Sequence, residues 1–511
     1  MKFSFRMKWK NRIVLLPAFA ALLAIATPSA FAEHHETKSK GPAPSGLERT
    51  EREEAARIAG KSLTYKVSAG FTQLLDEEDK PRAEMFSTDY FVETDDPSKR
   101  PVTFIFNGGP GSASLWLHMG VYGPRRVVIP SNAINPGSAP YEFADNDASI
   151  LNVSDLVFID PVGTGFSRAV GETKAKAFYG VTADADSVAD FIRMWLTKNK
   201  RWNSPKYISG ESYGTTRAAA VARSLTGGYR GIAINGVVLV SSILDFSTAR
   251  FQPGHPTSYV AFLPTYAATA WYHKKSGHQD KSLKEVVAEA RRFAVDEYLP
   301  ALMKGATLKG EEEANLVKQL AALTGLSPEY IRQTRHRVGP FRFMKELARD
   351  EGFSVGRLDS RYKGIDFDGA GERFDGDPSG QAIESAYAAA VNHYLTGELG
   401  VPVMREYKVL TGEPGQNWDW NVGGRRGWPA YLNVAPWLSK AMRENPDMRT
   451  LVLNGYYDLA TPFFGTELTF NNNNFPLDRV EMDYYEAGHM MYVHEPSLNA
   501  VGERVRNFLT K

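Results

Sequence analysis

Apolar and polar positions along this chain follow two rhythms. In the first part, Leu63 to Leu75, Ala83 to Glu93 and Pro101 to Asn107 read as strands, and the last is apolar enough to be buried on both faces. "DLVFID", Asp155 to Asp160, is another short buried strand. Thr182 to Lys198 has helical periodicity, a strand surrounds Tyr207, a helix follows Ser212, and Ile234 to Ser242 is a strand again. Ahead of these, Leu47 to Gly60 is charged with helical spacing. Between about Asp245 and Leu438 helical patterns dominate, as in Ser282 to Tyr298, Glu311 to Leu323, Phe341 to Arg349 and Ala382 to Leu395. Strand and helix alternate once more in "RTLVLNGYYD", in "RVEMDYYEAGH" and in a closing helix from Leu498. Strands alternating with helices predict a mostly parallel α/β sheet with helices on both faces. The helical block reads as an inserted cap, which divides the chain into core 47–244, cap 245–438 and core 439–511.

The first residues change this picture. Lys2, Arg6, Lys8, Lys10 and Arg12 precede an apolar run from Ile13 to Ala26 and then Ala30-Phe31-Ala32. A basic start, a short apolar core and small residues at the end describe a secretory signal peptide over 1–32. The polar residues 33–46, with Pro42 and Pro44, read as a disordered leader. Export is therefore expected, to the periplasm of a Gram-negative bacterium or, as the alternative, with full secretion. The chain of 511 residues has no cysteine, which excludes disulfides and thiol catalysis. A formal charge of +1 gives no electrostatic reason to expect nucleic acid or an anionic membrane as partner.

Candidate chemistry centres on "KYISGESYGTTRAAAVA". Gly210-Glu211-Ser212-Tyr213-Gly214 is a G-x-S-x-G pattern with a strand before it and a helix after it, the context of the nucleophile elbow of α/β-hydrolases. Glycines on both sides allow a strained turn that exposes the serine hydroxyl above a helix N-terminus. A serine nucleophile needs a base, and the base needs an orienting carboxylate. In the order Ser, Asp, His along the chain, Asp458 follows one late strand and His489 follows the next, after Gly488. His118 and His494 compete for the role of base. The loop Asn107-Gly108-Gly109-Pro110-Gly111 can bring backbone N–H groups to an oxyanion, with the N–H of Tyr213 as second donor. No phosphate-loop spacing, dinucleotide fingerprint or H-E-x-x-H is present, so no cofactor and no metal are expected.

Four segments, "FNGGPGSASL", "DLVFIDPVGTGFSRAV", "YISGESYG" and "LNGYYDLATP…GTE" with "EAGHMMYVHEP", resemble the serine carboxypeptidases, peptidase family S10. The resemblance implies an α/β-hydrolase fold, with Ser212 as nucleophile, His489 as general base and acid, Asp458 as its orienting carboxylate, and Gly109 and Tyr213 N–H as oxyanion hole. It further implies that Asn107, Gly108 and Glu211 bind the free C-terminal carboxylate of a peptide substrate. A glutamate meets a carboxylate favourably only when one of the two is protonated, so activity is expected to favour acidic pH. The chain departs from the family where a tryptophan is replaced by Ile105, a second glutamate by Val121, and a cysteine by Ser112. Arg125, Arg126 and Arg217 lie near the site loops in sequence and are candidates either for a charged carboxylate partner or for structural ion pairs. Other α/β-hydrolase activities (esterase, acyltransferase, aminopeptidase) and an inactive binding protein are the alternatives to a carboxypeptidase.

Overall fold

Every side chain of Val102–Phe106 is buried, as is every one of Lys206–Glu211 and Gly236–Val240. Runs of this kind fit strands covered on both faces, and the computed structural model, which describes residues 49–227, 230–422 and 431–511, places all three side by side in one sheet. Its strands are β1 (Thr50–Ile58), β2 (Lys61–Leu75), β3 (Pro81–Phe91), β4 (Val102–Phe106), β5 (Asp155–Ile159), β6 (Lys206–Glu211), β7 (Gly236–Val240), β8 (Arg449–Gly455) and β9 (Val480–Tyr485). The spatial order is β1-β2-β3-β5-β4-β6-β7-β8-β9, with the short strand Arg168–Ala169 attached to β3. Pairing is antiparallel from β1 to β5 and parallel from β5 to β9. The residues 1–32 and 33–46, read above as signal peptide and leader, lie outside the described residues.

The two faces of the sheet feed two apolar cores. Ile105, Phe158, Tyr207, Val238 and Leu453 face one, which is closed by the C-terminal helix Glu495–Thr510 through Leu498, Val501, Val505 and Phe508. Phe104, Phe106, Ile208, Leu239 and Val452 face the other, beneath helices α1 (Val181–Lys198) and α2 (Tyr213–Thr226). Alternate side chains of one strand thus enter different cores, the period of two that a sheet imposes. Helices on both sides of a mixed, largely parallel sheet, with a strand–elbow–helix unit at its centre, make an α/β-hydrolase fold.

The chain between β7 and β8 is mainly helical. Thr257–Tyr272, Leu283–Phe293 and Gly310–Thr324 build a third core together with Tyr456, Tyr457, Leu459, Phe463 and Phe464, which follow β8. Further along, Ala386, Tyr387 and Tyr394 join the first core, and Leu438 and Met442 join the second. Residues 245–438 therefore take part in all three cores. Ser282 starts its helix with a capping box to Glu285.

One element differs from the sequence expectation. The charged stretch Leu47 to Gly60, with its helical spacing, contains strand β1 at the edge of the sheet rather than a helix. Only Ala56 and Ile58 of that strand are buried, while Glu51, Arg52 and Glu53 are exposed. An edge strand with one wet face carries charges that discourage further pairing, and this composition imitates an exposed helix. Its nine-residue pairing with β2 overrides local propensity.

Candidate active site

The turn from β6 into α2 is strained. Ser212 holds φ +60° and ψ −129°, a region that non-glycine residues avoid and that costs on the order of 1–3 kcal/mol. Its neighbours have no room for side chains. A Cβ on Gly210 would collide with the Gly214 carbonyl oxygen, and one on Gly214 would lie 2.9 Å from the carbonyl oxygens of Phe106 and Asn107. The elbow is therefore pressed against the end of β4, and Ser212 is left at the carboxyl ends of the parallel strands, where open α/β sheets bind ligands.

The glycine-rich loop lies directly on this elbow. A Cβ on Gly108 would sit 2.5 Å from the Tyr213 backbone nitrogen and 2.7 Å from the Glu211 carbonyl oxygen. Gly109, exposed and with φ +102°, and Gly111, with φ +107°, occupy the left-handed region that favours glycine. A segment of the helical block braces the loop from outside: the Thr411 N–H donates to the Gly111 carbonyl (2.9 Å) and the Ala113 N–H to the Val409 carbonyl (3.0 Å). The structure thus brings Gly108, the residue before Gly109, to Tyr213, the first residue of α2, whose N-terminal N–H groups lack intrahelical partners.

Asp458 and His489 are hydrogen-bonded, with Oδ2 to Nδ1 at 2.7 Å, and both are buried. The other carboxylate oxygen accepts the N–H groups of Ala460 (2.8 Å) and Thr461 (2.9 Å), and the Thr461 hydroxyl donates to Oδ2 (2.7 Å). Burial alone would lower the pKa of the His489 ring. The Asp458 carboxylate and, behind it, Glu211 raise it above its ordinary value, against an opposing push from Arg357. With Nδ1 committed to Asp458, Nε2 is the ring nitrogen available for proton transfer.

Ser241 ties this pair to the elbow. Its N–H donates to the Leu453 carbonyl (2.9 Å), its hydroxyl donates to the His489 carbonyl (2.6 Å), and its own carbonyl lies 3.0 Å from the Thr461 hydroxyl oxygen. The preceding carbonyl, of Val240, accepts the Ser212 N–H at 3.0 Å. From the helical block, the Leu358 carbonyl accepts the His489 N–H at 2.6 Å, and the Asp359 carboxylate, paired with Arg361, accepts the Gly488 N–H at 3.2 Å. The Arg357 carbonyl accepts the Leu459 N–H at 3.0 Å. No local pattern in the sequence marks Ser241, Thr461 or residues 357–359 for this role.

Asn107 and Glu211 meet. The Asn107 side-chain amide donates to Glu211 Oε2 at 2.6 Å, and the Tyr492 hydroxyl donates to the same oxygen at 2.8 Å. The Leu117 N–H donates to Asn107 Oδ1 at 3.1 Å, which fixes the amide's orientation. Burial pushes the Glu211 carboxyl up to about 7, although His489, Tyr492 and Asn107 all favour its charged form. Tyr492 is a further contact that sequence reasoning missed. Its one signal was its place three residues after His489.

The remaining candidates hold other positions. His118 is buried, lies 2.6 Å from the Tyr90 hydroxyl, stacks on Phe158, and is pushed down to about 3 by burial, so it is a neutral core residue. His494 pairs with Ser497 at 2.8 Å at the start of the C-terminal helix. Arg125 binds Asp145 (2.8 Å), Arg126 binds Glu495 (3.4 Å), and Arg217 is buried between Asp184 (2.6 Å) and the carbonyl of Asn107. Ile105 and Val121 are both fully buried. Among the described residues, no group of three or more His, Cys, Asp or Glu could hold a metal ion, and no helix is long and apolar enough to cross a membrane.

Residues 60–252 match the family model described as serine carboxypeptidase. Serine carboxypeptidase-like 16 of Arabidopsis thaliana is 27% identical over 210 residues, which cover 39% of this chain and 46% of that protein. Serine carboxypeptidase-like 20 of the same plant is 35% identical over 130 residues, 24% of either chain. The matched stretches span less than half the length of these relatives. Among solved structures, a soluble variant of monoglyceride lipase from Saccharomyces cerevisiae aligns over 86% of this chain and 94% of its own, with 12% identity and a TM-score of 0.35.

Proposed function

We propose that this chain is a serine hydrolase of the S10 type, a reading supported by the match of residues 60–252 and by its serine carboxypeptidase-like relatives, and that it removes C-terminal amino acids from peptides through an acyl-enzyme on Ser212. The observation that carries the proposal is the buried Asn107–Glu211–Tyr492 cluster, which includes the residue immediately before the strained Ser212. With its carboxyl pushed up to about 7, Glu211 holds a proton in acidic and near-neutral solution. A protonated carboxyl donates a hydrogen bond to a substrate carboxylate, and an ionised one repels it. Asn107 keeps a second amide hydrogen for the same anion. This pair stands in for the fuller clamp of the family, whose tryptophan and second glutamate are Ile105 and Val121 here.

In the proposed mechanism, His489 Nε2 accepts the Ser212 proton while Oγ forms its bond to the scissile carbonyl carbon. The negative charge moves to the carbonyl oxygen, between the N–H groups of Gly109 and Tyr213. Asp458 holds the imidazolium in the orientation its 2.7 Å hydrogen bond sets. His489 gives the proton to the departing amine, the C–N bond breaks, and the acyl group stays on Ser212. Water then attacks the ester with the same proton transfers, which releases the shortened peptide and restores the serine. Peptidic chains with a free C-terminus are the proposed partners, and an exported, periplasmic setting is proposed from the basic and apolar start.

The test compares blocked dipeptides with a free C-terminus, their C-terminal amides and simple esters. The proposal expects the free acids to be cleaved faster than the amides, and expects this preference to fade above the pH at which Glu211 ionises. Equal rates for acids and amides would leave a general esterase or acyltransferase in its place.

A further inference from the structure

Two arginines near the site have no carboxylate partner among the described residues. Arg357 is half-buried and lies on the segment stitched to the catalytic loops: its own carbonyl accepts the N–H of Leu459, next to Asp458, and the following carbonyl accepts the N–H of His489. Arg250 is exposed and follows β7, with its guanidinium over the rings of Phe246 (5.5 Å) and Trp420 (5.8 Å). Trp420 in turn packs edge-on against Tyr213, the residue after Ser212, at 5.8 Å. Neither guanidinium makes an ion pair or a side-chain hydrogen bond among the described residues, whereas Arg125, Arg126 and Arg217 are all paired.

The two cations also sense the site and each other. Although Arg250 is exposed as a residue, partial burial of its guanidinium and then the charge of Arg357 hold it down, and the charge of Arg357 opposes protonation of His489. Two like charges without a counter-ion among the described residues repel one another, and a carboxylate within reach of both gains from both. A guanidinium offers a planar fork of donors that matches a carboxylate, and a guanidinium stacked on aromatic rings is already oriented for it.

We propose that Arg357 and Arg250 form a cationic subsite beside Ser212 that binds a carboxylate of the substrate, through the backbone anchorage of Arg357 between Asp458 and His489 and the seating of Arg250 on Phe246 and Trp420. The carboxylate belongs either to an acidic side chain near the scissile bond or to the substrate's C-terminus. The subsite deepens the peptidase reading given above and rests on it for the nature of the substrate.

Calorimetric titration of Ser212→Ala protein tests it without turnover. The ligands are one blocked tripeptide in four forms, with glutamate or glutamine at the penultimate position and with a C-terminal acid or amide. The expected result is that Glu over Gln, or acid over amide, improves affinity by roughly tenfold or more. That ratio falls towards one when Arg357→Gln is added, and is partly kept by Arg357→Lys. Arg250→Gln carries the same expectation and serves where Arg357→Gln does not fold. Ratios near one in the parent, or ratios unchanged by the arginine substitutions, overturn the subsite. A Glu preference without an acid-over-amide preference sinks the exopeptidase reading and leaves the subsite standing. An acid preference indifferent to both arginines does the reverse.

Discussion

Replacing Glu211 by glutamine tests the electrostatics of the site through stability. The native carboxyl has its pKa pushed from 4.5 to about 7, chiefly by burial. Between those values the native protein holds a proton that the unfolded chain has released, so stability falls as pH rises across that window. At about 1.4 kcal/mol per pH unit, the penalty grows to about 3 kcal/mol by neutral pH and then levels off. Glutamine cannot ionise, yet its carbonyl oxygen can accept the same hydrogen bonds from Asn107 (2.6 Å) and Tyr492 (2.8 Å). Denaturant unfolding of wild type and Glu211→Gln at pH 4.5 and pH 8 reads the effect of Glu211 together with its coupling to His489, because the remaining titrating groups are common to both. The variant is expected to gain about 3 kcal/mol on wild type between the two pH values. Parallel stability curves would refute the claim that burial holds the Glu211 proton.

Three further substitutions follow from the same geometry. Gly108→Ala puts a Cβ 2.5 Å from the Tyr213 nitrogen, so the loop must move away from the second oxyanion donor. Ester hydrolysis is expected to fall by roughly 100-fold or more, and a near-normal rate would contradict the packing. Ser241→Ala removes the 2.6 Å bond to the His489 carbonyl. A loss of about 1 kcal/mol, or roughly fivefold in kcat with KM little changed, is expected from steady-state kinetics. Arg217→Ala leaves Asp184 buried without its partner and frees the Asn107 carbonyl. Denaturant unfolding should show a loss of about 3–5 kcal/mol, and a loss below 1 kcal/mol would show that the pair is not what holds this junction.

Much of the architecture was legible because the sheet is buried on both sides. Continuous apolar runs such as "TFIF" and "GVVLV" can be satisfied only inside such a sheet, and the elbow glycines announce a turn that admits no Cβ. The stretch Leu47 to Gly60 misled because an edge strand needs charges, and charges at these spacings also suit a helix. What could not be read were contacts set by tertiary approach. Ser241 joins strand β8 to the loops of Thr461 and His489, and Arg357 to Asp359 reach the loops of Asp458 and His489 from a hundred residues or more away in the chain. Neither leaves a periodicity or a motif. The three arginines near the site loops in sequence turned out to be paired with Asp145, Glu495 and Asp184. The two without an ion-pair partner among the described residues, Arg250 and Arg357, lie in the helical block, where sequence position says nothing of distance to Ser212.

The most direct test is covalent. Folded protein treated with a fluorophosphonate, digested and mapped by mass spectrometry is expected to carry the adduct on Ser212 alone, with labelling lost in His489→Ala and slowed in Asp458→Asn. An adduct on another residue, or no adduct on Ser212 in protein shown to be folded, would contradict the assignment of this elbow as the nucleophile on which every other step depends.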